Sequence, residues 1–99
     1  MKQLIIMCSE SIAGQVTQVL DAIIHMEGYV RVSGSGVKCK VPVSGAYEGK
    51  SIPWSAEVFI MALPEDTVKI ITDELKQYAN RCDIAPCLRM IVTSIEELF

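Results

Sequence analysis

The chain has 99 residues, 51% of them hydrophobic, and a formal net charge of −3. That length fits one domain with a modest core, and a pI near 5.0 argues against nucleic acid as a partner, because phosphate contacts need a basic surface. The longest apolar runs, Leu4 to Cys8 and Val58 to Leu63, fall far short of the roughly 20 residues that cross a bilayer, so the mean hydropathy of +0.34 points to surface buried between subunits.

Residues 3–8 read as a first strand, apolar at consecutive positions and therefore covered on both faces. Met1-Lys2-Gln3 ahead of that run superficially resembles an export signal. The run is too short for one, and Ser9-Glu10-Ser11 reads as a helix cap, so the expected address is the cytoplasm. Ser9 or Ser11 is expected to cap a helix over 11–26, with Ile12, Val16, Val19, Leu20 and Ile23 as its core stripe. Gly28 follows, where a left-handed residue commonly ends a helix. His25, the lone histidine, reads as a solvated or packed side chain.

Residues 29–33 form a second strand and 57–63 a third, again apolar on both faces. Pro64 ends that strand, and Glu65 and Asp66 put negative charge in the first turn of a second helix over 65–79. Its stripe is Val68, Ile71, Leu75 and Tyr78, and residues 88–94 form the last strand. The order β-α-β, long loop, β-α-β predicts an α+β fold: a ferredoxin-like βαββαβ sandwich, with a four-stranded antiparallel sheet and both helices on one face. The other face is expected to be open, apolar and used for subunit contact.

Between the second and third strands, the stretch from about 34 to 56 reads as a long loop within this single domain, 1–99. It holds Gly34, Gly36, Gly45 and Gly49, Pro42 and Pro53, the only Trp, and Lys38, Lys40 and Lys50. Connections are usually about 4–6 residues, and much longer ones tend to be functional or disordered. Val41, Val43, Tyr47, Ile52 and Trp54 equip this one to meet a partner.

No Ser-His-Asp or Cys-His set has plausible spacing, so the chain does not read as an enzyme. Gly34-x-Gly36 lacks the third glycine of a dinucleotide fingerprint. It is either a flexible strand exit or a point of close backbone approach to a ligand phosphate. Cys82-x-x-x-x-Cys87 leaves three readings open: unpaired thiols, a reversible disulfide, or half of a soft-metal site completed by Cys39. Arg89 beside that pair, with Arg31 and Arg81, would line a cleft between subunits suited to an anionic small molecule.

With these features the chain resembles the nitrogen-regulatory PII superfamily, in its divergent PII-like branch. The resemblance is carried by the element order, by Val32-Ser33-Gly34-Ser35-Gly36, by Tyr47-Glu48-Gly49 in the long loop, by the run Val58 to Leu75, and by Arg89-Met90-Ile91-Val92. Arg89 falls at about the position of the family's phosphate-gripping lysine. Ile84-Ala85-Pro86-Cys87-Leu88 stands where the family has glycines. The resemblance implies a cytoplasmic homotrimer that binds a small effector between subunits, an adenine nucleotide first (ATP, ADP, AMP or cyclic AMP), at Gly34, Gly36, Lys38 and Arg89. It also implies a docking loop, here with Lys40, Tyr47, Lys50 and Trp54, that meets a membrane transporter or enzyme. The copper-tolerance CutA proteins share the trimeric fold. The alternative is therefore a metal-responsive protein using Cys39, Cys82 and Cys87 for a soft metal ion.

Overall fold

The structure, a computed structural model, describes residues 1–25, 27–39, 51–79 and 88–99, with 37–39 and 51–53 as backbone. Strand β1 (Lys2–Ser9) leads through a single 3-10 turn (Glu10–Ile12) into helix α1 (Ala13–Ile23). Strands β2 (Val30–Cys39) and β3 (Ser51–Leu63) follow, then helix α2 (Glu65–Leu75) with a closing 3-10 turn (Lys76–Tyr78), and strand β4 (Leu88–Ser94). The sheet order is β2-β3-β1-β4, with every neighbouring pair antiparallel. β3 lies between β1 and β2, so the first β-α-β unit is split by a strand of the second half. This is the expected ferredoxin-like arrangement.

Both helices cover one face of the sheet. Burial alternates along β1: Leu4, Ile6 and Cys8 are buried, whereas Ile5 and Met7 are only half-buried. On β3, Phe59, Met61 and Leu63 point the same way as the buried residues of β1, and they pack with Val16 and Leu20 of α1 and Val68, Ile71 and Leu75 of α2 in one cluster. Each such aliphatic or aromatic side chain contributes about 1.5–3 kcal/mol by leaving water. Among the described residues the opposite face carries no helix. Val30 (60% exposed), Val32 (48%), Ile60 (37%) and Ile91 (44%) lie open there, so the expectation of an open apolar face is met.

Helix α1 is shorter than the spacing predicts. It starts at Ala13, after the 3-10 turn, and no side chain caps either segment. The Ser9 and Ser11 hydroxyls bond each other at 2.9 Å, so neither serves as the expected cap. The helix stops at Ile23 because Ile24 turns extended (φ −88°, ψ 126°) and drives its side chain into the core at 8% exposure. Gly28, at φ 71°, holds the left-handed bend in the connector to β2 and not the helix end itself.

Strands β2 and β3 also run past their predicted ends. The sequence places a loop from 34 to 56, but the ladder continues from Gly34–Ala56 to Cys39–Ser51. Residues 40–50, the remainder of that stretch, lie outside the described residues. Glycine, serine and proline are poor strand formers, so the sequence signals a break there, but pairing with a neighbouring strand overrides propensity. Pro53 fixes the hydrogen-bond phase of the ladder. It has no N–H, so its pair with Val37 must be a non-hydrogen-bonded one. By alternation Gly36–Trp54 and Gly34–Ala56 are hydrogen-bonded pairs, and Ser33–Glu57 is a close, non-hydrogen-bonded pair. β1 stops at the Ser9–Ala56 pair, so beyond it the ribbon has two strands only. This projection raises the radius of gyration to 15.5 Å, against about 13 Å for a compact chain of 100 residues.

Candidate functional site

The ribbon leaves the body of the domain at a polar cluster built around the buried Glu57. Glu57 sits on the helix side of β3, 6% exposed, where its neighbours along the strand face are Phe59, Met61 and Leu63. The Ser33 hydroxyl donates to its two carboxylate oxygens at 2.8 and 2.9 Å. Arg31 Nε donates to Oε2 at 3.3 Å. The Arg31 guanidinium stands 5.4 Å over the Phe59 ring and reaches Thr17 Oγ1 of α1 at 3.4 Å. Tyr29 packs on Phe59 with centroids 5.7 Å apart, and its hydroxyl donates to Asp21 at 2.8 Å.

The charge pattern follows from these contacts. The hydrogen bonds from Ser33 and then Arg31 hold the Glu57 carboxyl below the usual carboxylate range. Cys8, its partner across the β1–β3 ladder, is pushed up to about 11, first by burial and then by the Glu57 charge. Burial and the Asp21 hydrogen bond raise the Tyr29 phenol. The cluster ties α1, β2 and β3 together at the level where the ribbon begins. It also commits Arg31 to the helix side of the sheet, with its guanidinium between Glu57 and Thr17. The sequence places Glu57 at the start of the third strand and does not mark it as a site residue. The signal available was a single acid in register with Phe59, Met61 and Leu63. Its partners become visible only once β2 is set against β3.

On the helix-free side, Gly34 and Gly36 of β2 and Trp54 and Ala56 of β3 continue the face that carries Val32 and Val58. The two glycines differ. A Cβ added at Gly34 would meet open space, whereas one at Gly36 would run into Cε2, Nε1 and Cζ2 of the Trp54 ring. Trp54, expected in a loop, is a half-buried strand residue laid over the bare Cα of Gly36. Arg89 lies exposed on β4, on this same face, and is paired through Met7 of β1. It has no ion pair among the described residues.

The residues expected to bind one effector are thus divided. Gly34, Gly36 and the backbone of Lys38 belong to β2, and Arg89 belongs to β4, at the other edge of the sheet. With β3 and β1 between them and strands about 4.8 Å apart, the two edges stand roughly 14 Å apart across one subunit. Lys40, Tyr47, Lys50, Cys82 and Cys87 lie outside the described residues, and Cys39 is the last residue of β2. His25 is exposed just past α1. Among the described residues no three His, Cys, Asp or Glu side chains gather to hold a metal ion, and no helix is long and apolar enough to cross a membrane.

No protein-family model and no curated protein matches the chain. Solved structures do. The chain is similar to CPII, a nitrogen regulatory PII-like protein from Thiomonas intermedia K12, bound to ADP, AMP and bicarbonate. The identity is 20% and the TM-score 0.66, over 95% of this chain and 88% of that one. The apo form of the same protein matches at 19% identity and a TM-score of 0.62, over 93% and 85%. GlnK of B. subtilis in complex with ATP matches at 13% identity and a TM-score of 0.65, over 96% and 84%. With the sheet order, the paired helices and the projecting ribbon, these matches establish that the chain has the fold of the PII-like superfamily.

Proposed function

We propose that this chain is a PII-like regulatory protein, a homotrimer in the cytoplasm that binds an adenine nucleotide between subunits and docks on a partner protein through the segment joining β2 and β3. The observation that carries this is the division of the candidate site. Gly34 and Gly36 lie on one edge strand and Arg89 on the other, on a single apolar face. One subunit cannot bring them together, whereas two subunits meeting on that face can. Burying that face would also bury the Arg89 guanidinium, which needs an anion beside it; a nucleotide phosphate supplies one. CPII bound to ADP and AMP and GlnK bound to ATP support the choice of nucleotide.

The nucleotide acts on docking only if it favours one arrangement of the ribbon over another, because a ligand shifts an equilibrium by its differential affinity. The ribbon base is well suited to transmit such a preference, since Ser33, Arg31 and Glu57 lock it to α1. Lys40, Tyr47 and Lys50 are proposed to meet the partner, a membrane transporter or an enzyme.

The test pairs sedimentation velocity with a thermal-shift panel of ATP, ADP, AMP, cyclic AMP and bicarbonate. A trimer is expected, and Ile60→Glu on the open face dissociates it. A nucleotide at about 100 times its dissociation constant adds roughly 2.7 kcal/mol, a rise of roughly 10 °C or more for a chain of this length. Arg89→Ala weakens that binding. A monomeric wild type that responds to no nucleotide would refute the proposal.

A further inference from the structure

The indole of Trp54 occupies the space where Gly36 lacks a side chain, and this contact has a consequence for the ligand. We infer that Trp54 is a stacking platform for the base of the nucleotide, a role that rests on the nucleotide reading above. Four observations meet here. Gly36 and Trp54 are directly opposite in the ladder. The ring lies so close over Gly36 that no Cβ fits. Trp54 is only half-buried, so part of the residue remains open to solvent. Beside it on the same face, Gly34 borders open space.

A glycine in a strand sacrifices packing and conformational order. At position 36 that loss seats a large aromatic ring against the backbone and restricts where it points. A ring held in this way presents a preorganised π-face at low ordering cost. It also shields one side of the Gly36 backbone, so a phosphate approaching there meets the indole first. The base, rather than the phosphates, is the part of a nucleotide that an indole face suits. The phosphates then extend toward Arg89 of the neighbouring subunit, which lies on the same side of its own sheet. Trp54, expected to meet a protein partner, is assigned to the effector.

Trp54 is the only tryptophan in the chain, so its fluorescence reports on this position alone. The experiment titrates ADP into the full-length protein while following Trp54 emission, with calorimetry alongside and inorganic tripolyphosphate as a probe without a base. ADP is expected to quench the emission along the calorimetric isotherm, and tripolyphosphate to bind without quenching. Trp54→Phe keeps a π-face and binds within a few-fold of wild type. Trp54→Leu keeps an apolar cover on Gly36 but no π-face, and like Trp54→Ala weakens ADP roughly 5- to 150-fold, the range for loss of one base–aromatic stack. Tripolyphosphate affinity stays unchanged in the leucine variant, which a merely structural role for Trp54 does not predict. If ADP binds by calorimetry with no change in emission, and the leucine variant binds it as wild type does, the stacking role is overturned while the nucleotide reading stands. If no nucleotide binds the wild type by calorimetry, the nucleotide reading fails and the stacking role with it.

Discussion

The same substitution made at two glycines on one strand is expected to have opposite effects. At Gly34 an added methyl meets nothing within 4 Å, and alanine removes conformational freedom from the unfolded chain, worth about 0.4–1 kcal/mol. At Gly36 the methyl collides with the Trp54 ring. The indole must rotate off the strand or the strands must part, an overpacking cost of about 1–3 kcal/mol. Gly34 lies level with the end of β1, and Gly36 lies beyond it in the two-stranded part of the sheet. Their effects are therefore expected in local opening of the ribbon more than in global unfolding. Amide hydrogen exchange is the suitable assay, read at Gly36 and Trp54, whose N–H groups point into the ladder. Gly36→Ala should speed their exchange by roughly 5- to 150-fold, and Gly34→Ala should slow it by roughly two- to fivefold, each being the free energy converted through RT. Trp54 emission should shift to the red in the first variant and stay in place in the second. Rates moving the same way in both variants would refute the packing of Trp54 on Gly36.

Further outcomes follow from the core and the ribbon base. Leu20 is fully buried between α1 and the sheet, so Leu20→Ala should cost about 2–5 kcal/mol in denaturant unfolding at fixed protein concentration. A loss under 1 kcal/mol would contradict its position. The Glu57 carboxyl is lowered by its hydrogen bonds in the folded state. Its contribution to stability is therefore fully present above the unfolded value near pH 4.3 and is lost as pH falls through the lower folded value. Stability profiles of wild type and Glu57→Gln should diverge above pH 5 and converge in acid; parallel profiles from pH 7 to 2 would remove Glu57 from the cluster. The Cys8 thiol, raised to about 11 and buried, should resist iodoacetamide at pH 8 until the chain unfolds. Alkylation of Cys8 in the native protein at the rate of a free thiol would show that the sheet opens around β1.

Much of this protein is legible from local pattern. The alternation of Leu4, Ile6 and Cys8 with Ile5 and Met7, the helical stripe through Val16 and Leu20, and Pro64 before two acids determine the element order. That order permits few ways to bury the apolar residues other than a split β-α-β sheet. The open face was legible too, because residues of both signs of the alternation in β1 and β3 are apolar. The ribbon was not. Gly34, Ser35, Gly36 and Pro53 read as a break in any local window, and they become strand only because each has a partner across the ladder. The same holds for the site. Glu57 is an acid in an apolar run until Ser33 and Arg31 are set opposite it, and Trp54 is an aromatic in a loop until Gly36 is found beneath it. The chain by itself determined which faces are apolar, because burial follows the period of each element. Only the tertiary structure decided which residues share a site, because register between strands far apart in sequence is set by the packing of the whole sheet.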